Sequence, residues 1–268
     1  MSSYFENYKK RLKRSGSDTG DVYANNTIAF IDSTFHALPT FKVVKVKSSE
    51  SPNITEIDTR IVEVERMGSL REVLFRPKQK LGIGSYIEFD GSWWIVSDLW
   101  GDKDFTSRAL IQRCNHDLKW AISDDWKDEN GVIDNNKLVS LPCLATQSPI
   151  GSKATQGKLD IQYNRYDVML PTGQVFVYAE RNEQTINIRL NQRFIFGKTV
   201  YEIYGIDDTS LTGSNGYGII QFLAKITTIK DEDDFNNKVA INNVNDIDIN
   251  IDTAEEEIEE EDKGGRIW

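Results

Sequence analysis

The chain has 268 residues, a formal net charge of −10, 39% hydrophobic and 10% aromatic residues, and two cysteines, Cys114 and Cys143. It is long enough for one large or two small domains with a real core. No apolar run approaches the ~20 residues of a membrane-spanning helix, and two thiols are too few for a disulfide framework and suit a reducing compartment.

The first segment, MSSYFENYKKRLKRSG, has a basic patch with no apolar stretch behind it, so no secretory signal is expected and the product reads as cytoplasmic. Residues 2–14 are predicted helical. Tyr4, Phe5, Tyr8 and Leu12 share one face, and Lys9, Lys10, Arg11, Lys13 and Arg14 lie largely elsewhere. Ser15, Gly16 and Ser17 stop it. Residues 21–39 read as a second short helix or an extended arm ending near Pro39.

From Phe41 the period changes to two. FKVVKVK, a polar SSESPN turn, ITEIDTRIVEVER and REVLFRP follow, and then GSYIEFDGSWWIVSD. Asp90-Gly91 is a favoured two-residue hairpin turn. Neighbouring residues of a strand face opposite ways, so one of Trp93 and Trp94 points away from the core that takes the other. That second tryptophan is expected either at a subunit contact, where aromatics dominate, or under the N-terminal arm as further core. The run TSRALIQRCNHDLKWAI reads as one strand leading to Trp120.

A second β segment starts near Gly131. Its strands are VIDNNKLVSLPCLA, YNRYDVMLPTGQVFVYAE and INIRLNQRFIFGKTVYEIYGID, with a turn at Pro171-Thr172-Gly173. FDGSWWIVSD (89–98) aligns without gaps on FGKTVYEIYG (196–205). Phe89 meets Phe196, Ser92 meets Thr199, Trp94 meets Tyr201 and Val96 meets Ile203. The echo suggests two related β units joined around residues 124–160. The expected organisation is an N-terminal helix and arm (1–40), a first β unit (41–126), a second (127–230) and an acidic tail (231–268). The fold class is mainly β, with barrel- or sandwich-like units.

Charge is unevenly placed. Fourteen of the 42 acidic and four of the 32 basic residues lie from Lys230 onward, which leaves 28 of each in the body. Such a tail is expected to be extended or conditionally ordered. Within it, Asp246, Asp248, Asn250, Asp252 and Glu257 have the spacing of an EF-hand loop, but Ile251 stands where the turn needs Gly. The competing reading is a strand with Ile247, Ile249 and Ile251 on one face, able to add to a neighbour's sheet edge. A basic head and an acidic tail permit contacts between subunits, and Trp268 is a further aromatic anchor.

Catalytic signatures are missing from the sequence. There is no G-x-S-x-G, H-E-x-x-H or P-loop. Cys114-Asn115-His116 lacks partners at zinc spacing. No catalytic residue, cofactor or metal is expected. A neutral body lacks the broad basic face of a nucleic-acid binder. Exposed Trp93, Trp100 or Trp126 stacking on sugar rings would suit a carbohydrate-binding or cell-wall-active module, but no acid–nucleophile carboxylate pair stands out.

GSLREVLFRPKQKLGIGSYIEFDGSWWIVSD, ALIQRCNHDLKW, FIFGKTVYEIYGIDDTS and GIIQFLAKITTIKDEDD occur here in that order. Over residues 2–235 this resembles the head–tail connector and head-closure proteins of tailed phages and prophages of Gram-positive bacteria. The resemblance implies a non-enzymatic β-rich adaptor of the virion, present in the host cytoplasm during assembly. It implies a homo-oligomeric ring, twelvefold or sixfold, between a portal or adaptor protein and a tail terminator or tail-tube protein. Such a ring helps retain packaged DNA, with possible non-specific contact to it and none to a membrane. The simpler head-closure proteins are shorter single β units, so the second unit and the tail also suit a tail or baseplate ring.

Overall fold

The computed structural model describes residues 6–9, 18–48, 51–64, 69–79, 81–101, 107–123, 126–127, 133–147, 150, 172–213 and 216–242. Residues 6–9 are helical, and the rest of the predicted 2–14 helix lies outside the described residues. A helix spans Thr19–Thr34, capped by Asp18, whose carboxylate accepts the Asp21 N–H at 2.9 Å. This is the helical form of the 21–39 segment. None of its residues is buried, and Tyr23 and Phe30 are exposed. Its end is tied to the body by Arg60, which donates to the carbonyls of Thr34 and Phe35.

Six strands then form a closed barrel: β1 (Phe41–Ser48), β2 (Ser51–Glu63), β3 (Leu70–Phe75), β4 (Tyr86–Phe89), β5 (Ser92–Trp100) and β6 (Arg108–Arg113). Their order is β1-β2-β3-β6-β5-β4, and β1 pairs with β4 to close it. Closure leaves no open edge. Alternation fills the interior: Val44, Val46, Val73, Phe75, Trp94, Val96 and Ile111 point inward. The Asp90-Gly91 turn is the one expected. Both residues have positive φ, 49° and 66°, as a two-residue turn matched to strand twist requires.

The second sheet holds β7 (His116–Ala121), β8 (Leu138–Thr146), β9 (Gln174–Glu180), β10 (Arg193–Phe196), β11 (Thr199–Asp207) and β12 (Ile219–Ile226). Its order is β10-β11-β12-β9-β8-β7. The sheet curls until β7 and β10 lie side by side. The rings of His116 and Phe196 are 5.1 Å apart, and those of Trp120 and Phe194 6.1 Å. Its interior holds Leu118, Trp120, Val177, Phe194, Phe222 and their neighbours.

The two orders are the same order. Reversed, the second reads β7-β8-β9-β12-β11-β10, so each strand of the first barrel has its counterpart six strands later. The register agrees as well. Phe89 pairs with Ser92 as Phe196 pairs with Thr199. The β5–β6 ladder slips between Val96 and Asp98, and the β11–β12 ladder slips at the aligned place, between Ile203 and Gly205. The echo seen in the sequence is therefore a repeat of a whole barrel.

Three expectations change. The run TSRALIQRCNHDLKWAI is two strands, because the chain leaves the first barrel at Cys114-Asn115 and enters the second sheet at His116. The changeover thus precedes the expected boundary at 126. INIRL forms turns, since the Asn182 carboxamide accepts the N–H groups of Gln184 and Thr185 and bends the chain. Finally, the body does not end at Asp231. Residues 231–242 fold back as a clasp on the outside of β10 and β11, packing Ala240 and Phe235 against Ile195 and Val200 and burying Val239 as well.

Candidate functional site at the junction of the two barrels

The outer face of the β4–β5 hairpin carries Tyr86, Trp93 and Ile95. It packs on the outer face of the second sheet, where Leu144, Phe176, Tyr178 and Ile219 alternate with inward-facing residues. This answers the tryptophan question. Trp94 lies inside the first barrel, 4% exposed, its indole N–H donating to the Phe89 carbonyl at 3.1 Å. Trp93 is half-buried in the junction, edge-on to Tyr86 with ring centres 6.3 Å apart. The second barrel, rather than the N-terminal arm, covers it.

Tyr86 is the polar pin of this junction. Its hydroxyl donates to the Pro142 carbonyl on β8 at 2.6 Å and accepts the Glu180 N–H on β9 at 3.0 Å. Burial pushes its pKa well above the ordinary phenol value, so it remains a hydroxyl. The backbones themselves touch beside it. A Cβ on Gly84 would stand 1.9 Å from the Gly218 carbonyl oxygen, and Gly84 has φ of +86°. The changeover is pinned in the same way. Cys114 N–H donates to the Trp93 carbonyl, Asn115 N–H to the Cys143 carbonyl, and the Asn115 side chain pairs with both backbone groups of Ala145 at 2.8 Å.

An open cleft of about 440 Å³ lies at this changeover, lined by Ser69, Arg113, Cys114, Asn115 and Leu144. Burial pushes the Cys114 thiol up to about 12, and Cys143 is raised for the same reason, so both are held as thiols at neutral pH. Desolvation lowers the His116 pKa and the ring packs on Phe196, so it is a neutral packing residue at neutral pH. Among the described residues no three His, Cys, Asp or Glu side chains are grouped to hold a metal.

The second concentration of polar anchoring is the clasp. Arg193 on β10 and Asp233 are both buried and form a two-pronged pair at 3.0 and 2.8 Å. Arg193 also donates to the carbonyls of Thr228 and Ile241. Asp233 also accepts the N–H groups of Lys230 and Ile241. Burial works against its charge, yet the Lys230 N–H, the Arg193 guanidinium and the Ile241 N–H together hold the carboxyl below its ordinary range. The Asn242 carboxamide pairs with both backbone groups of Arg193, closing the free side of β10 there.

Of the anticipated contact residues, Trp93 alone sits in the junction. Lys9 is exposed on the short helical segment. Tyr4, Phe5, Lys10, Arg11, Lys13, Arg14, Ile247, Ile249, Ile251 and Trp268 lie outside the described residues, as does the Asp246–Glu257 run. Trp126 is buried, 6% exposed, and unavailable for stacking on a sugar, whereas Trp100 is 40% exposed. Sequence reasoning missed Tyr86, Arg193, Asp233 and the Gly84–Gly218 contact. The one signal was positional: Tyr86 and Arg193 each stand three residues before the phenylalanine that opens its half of the echo.

Residues 116–225 match the family model of the YomX C-terminal domain. The family is phage- and prophage-associated. The YomX C-terminal match begins at the first residue of β7 and ends inside β12, so it coincides with the second barrel and leaves out the first barrel and the clasp. No curated protein and no solved structure matches the chain.

Proposed function

We propose that this protein is a non-enzymatic structural component of the phage head–tail junction. It forms a ring that joins the portal to the tail and helps retain packaged DNA. One observation carries the reading: a barrel of a phage-associated family is fused, with no linker, to a second barrel of the same topology. The buried side chains at the fusion serve packing and hydrogen bonding, which suits a part whose work is to bear load between neighbours. The neighbours are further copies of the chain, a portal or adaptor protein above, and a tail terminator or tail-tube protein below. The protein acts in the virion after assembly in the host cytoplasm.

The test is native mass by light scattering, alone and then with the portal protein of the same genome. A stoichiometric ring on the portal is the expected result. A chain that ignores the portal but joins tail-tube protein would move the assignment to a tail or baseplate ring, and one that ignores both would end the structural reading.

A further inference from the structure

The repeat makes one surface of the second barrel conspicuous. In the first barrel, the outside of the β4–β5 hairpin is covered by another β-sheet, pinned through Tyr86. Position for position, Tyr86 corresponds to Arg193 and Trp93 to Val200 in the second barrel. There the outside of the β10–β11 hairpin is covered by the clasp, pinned through Arg193. We propose that the β10–β11 outer face, centred on Ile195 and Val200, is a docking face for another β-sheet, and that residues 231–242 are its built-in plug.

The junction within the chain defines what such a partner presents: the outer face of a sheet with aromatic residues in alternation, as Phe176 and Tyr178 are on β9. The first barrel has a partly exposed sheet face at the matching place. By register, Glu72 stands where the second barrel has Phe176, Leu74 where it has Tyr178, and Arg108 where it has Gln221. Glu72 and Arg108 form an ion pair at 3.2 Å. Charge on one face and a plug on the other keep copies from joining head to tail through these two faces, a pairing that would otherwise repeat from copy to copy; a ring of copies would use other surfaces. Docking of a sheet partner displaces the plug. The inference rests on the repeat and stands or falls apart from the neck assignment.

The test uses two full-length variants. The receiver carries Asp233→Ala and Ala240→Asp, which remove the ion pair and the apolar contact that hold the plug. The donor carries Glu72→Phe and Arg108→Gln, which replace the ion pair on the first barrel's matching face with the side chains the second has at those two places. Labelled donor is titrated with receiver or with the unaltered chain, and anisotropy is read. Expected is binding at least about tenfold tighter to the receiver, about 1.4 kcal/mol. Equal binding would overturn the proposal, as would a receiver whose second barrel has lost its protected amides, since the clasp would then be integral to that core. A second measurement needs no substitution. In native-state hydrogen exchange, the Val239 and Ile241 amides should exchange roughly tenfold or more faster than those of Val177 and Phe222, by local opening. Exchange of all four only by unfolding of the whole barrel would equally overturn it.

Discussion

The two barrels share strand order, hairpin register and the position of a bulge, yet they differ in what lies on the outside of one hairpin. The first hairpin presents a tyrosine and a tryptophan to a neighbouring barrel. The second presents an arginine to a twelve-residue loop. Inward positions of a repeat are constrained by closure, so they stay apolar. Outward positions are constrained only by what covers them, so they diverge into a mostly apolar junction in one copy and a charge-paired clasp in the other.

Substitutions can break this pairing of like interiors with unlike exteriors. The largest effect is expected at Trp94, enclosed in the first barrel. Trp94→Ala should cost about 3–5 kcal/mol in a denaturant titration. Trp93→Ala, in the half-buried junction, should cost less and should separate the unfolding of the two barrels. Equal costs at the two sites would mean the junction is as much core as the barrel interior. Next comes Asp233→Ala, which leaves Arg193 buried without its counter-ion. A loss of roughly 3 kcal/mol is expected, read as faster exchange confined to the clasp amides.

Tyr86→Phe removes the hydroxyl that serves Pro142 and Glu180, and a loss of about 1–3 kcal/mol follows from leaving those buried backbone groups unmet. Acid should act on one side of the molecule. Asp234, held at about 2 by Asn237 and Lys127 against the cost of burial, and Asp233, held below the ordinary 3.8, are both in the clasp. A depressed folded pKa contributes stability that is complete above the ordinary value and is lost as pH falls through the folded one. Clasp amides should therefore lose protection between about pH 4 and pH 2 while those of β1–β6 keep it. The smallest effect is expected for Glu72→Ala at the partly exposed ion pair with Arg108, roughly 0.2–1 kcal/mol, and a larger loss would show that face to be covered.

Much of the fold was legible because a strand with one buried face writes its period into the sequence. FKVVKVK, REVLF and the Asp90-Gly91 hairpin needed no tertiary information, and the echo of 89–98 in 196–205 pointed to duplication. The break at Cys114-Asn115 was not legible. β6 and β7 are both apolar-rich and meet without Gly or Pro, and only the change of partner from β5 to β8 separates them. The clasp was hidden for a different reason. DEDD reads as solvated charge unless a buried arginine forty residues earlier in the chain is known to face it. INIRL misled because its alternation is real while the Asn182 turn ahead of it overrides it.

The direct passage from β6 to β7 also sets a timetable. Every strand of the first barrel lies before residue 114, so that barrel can close while the rest of the chain is still on the ribosome. Its hairpin face must then wait for Tyr178 and Glu180, 67 residues beyond Arg113 to the latter. At roughly 5–20 residues per second, that is on the order of 3–13 seconds with Tyr86, Trp93 and Ile95 uncovered. The clasp emerges after both barrels, so the face it shuts is the last to be closed on a newborn chain. Where many copies are made at once, those seconds are when one chain's hairpin is open to the sheet of another.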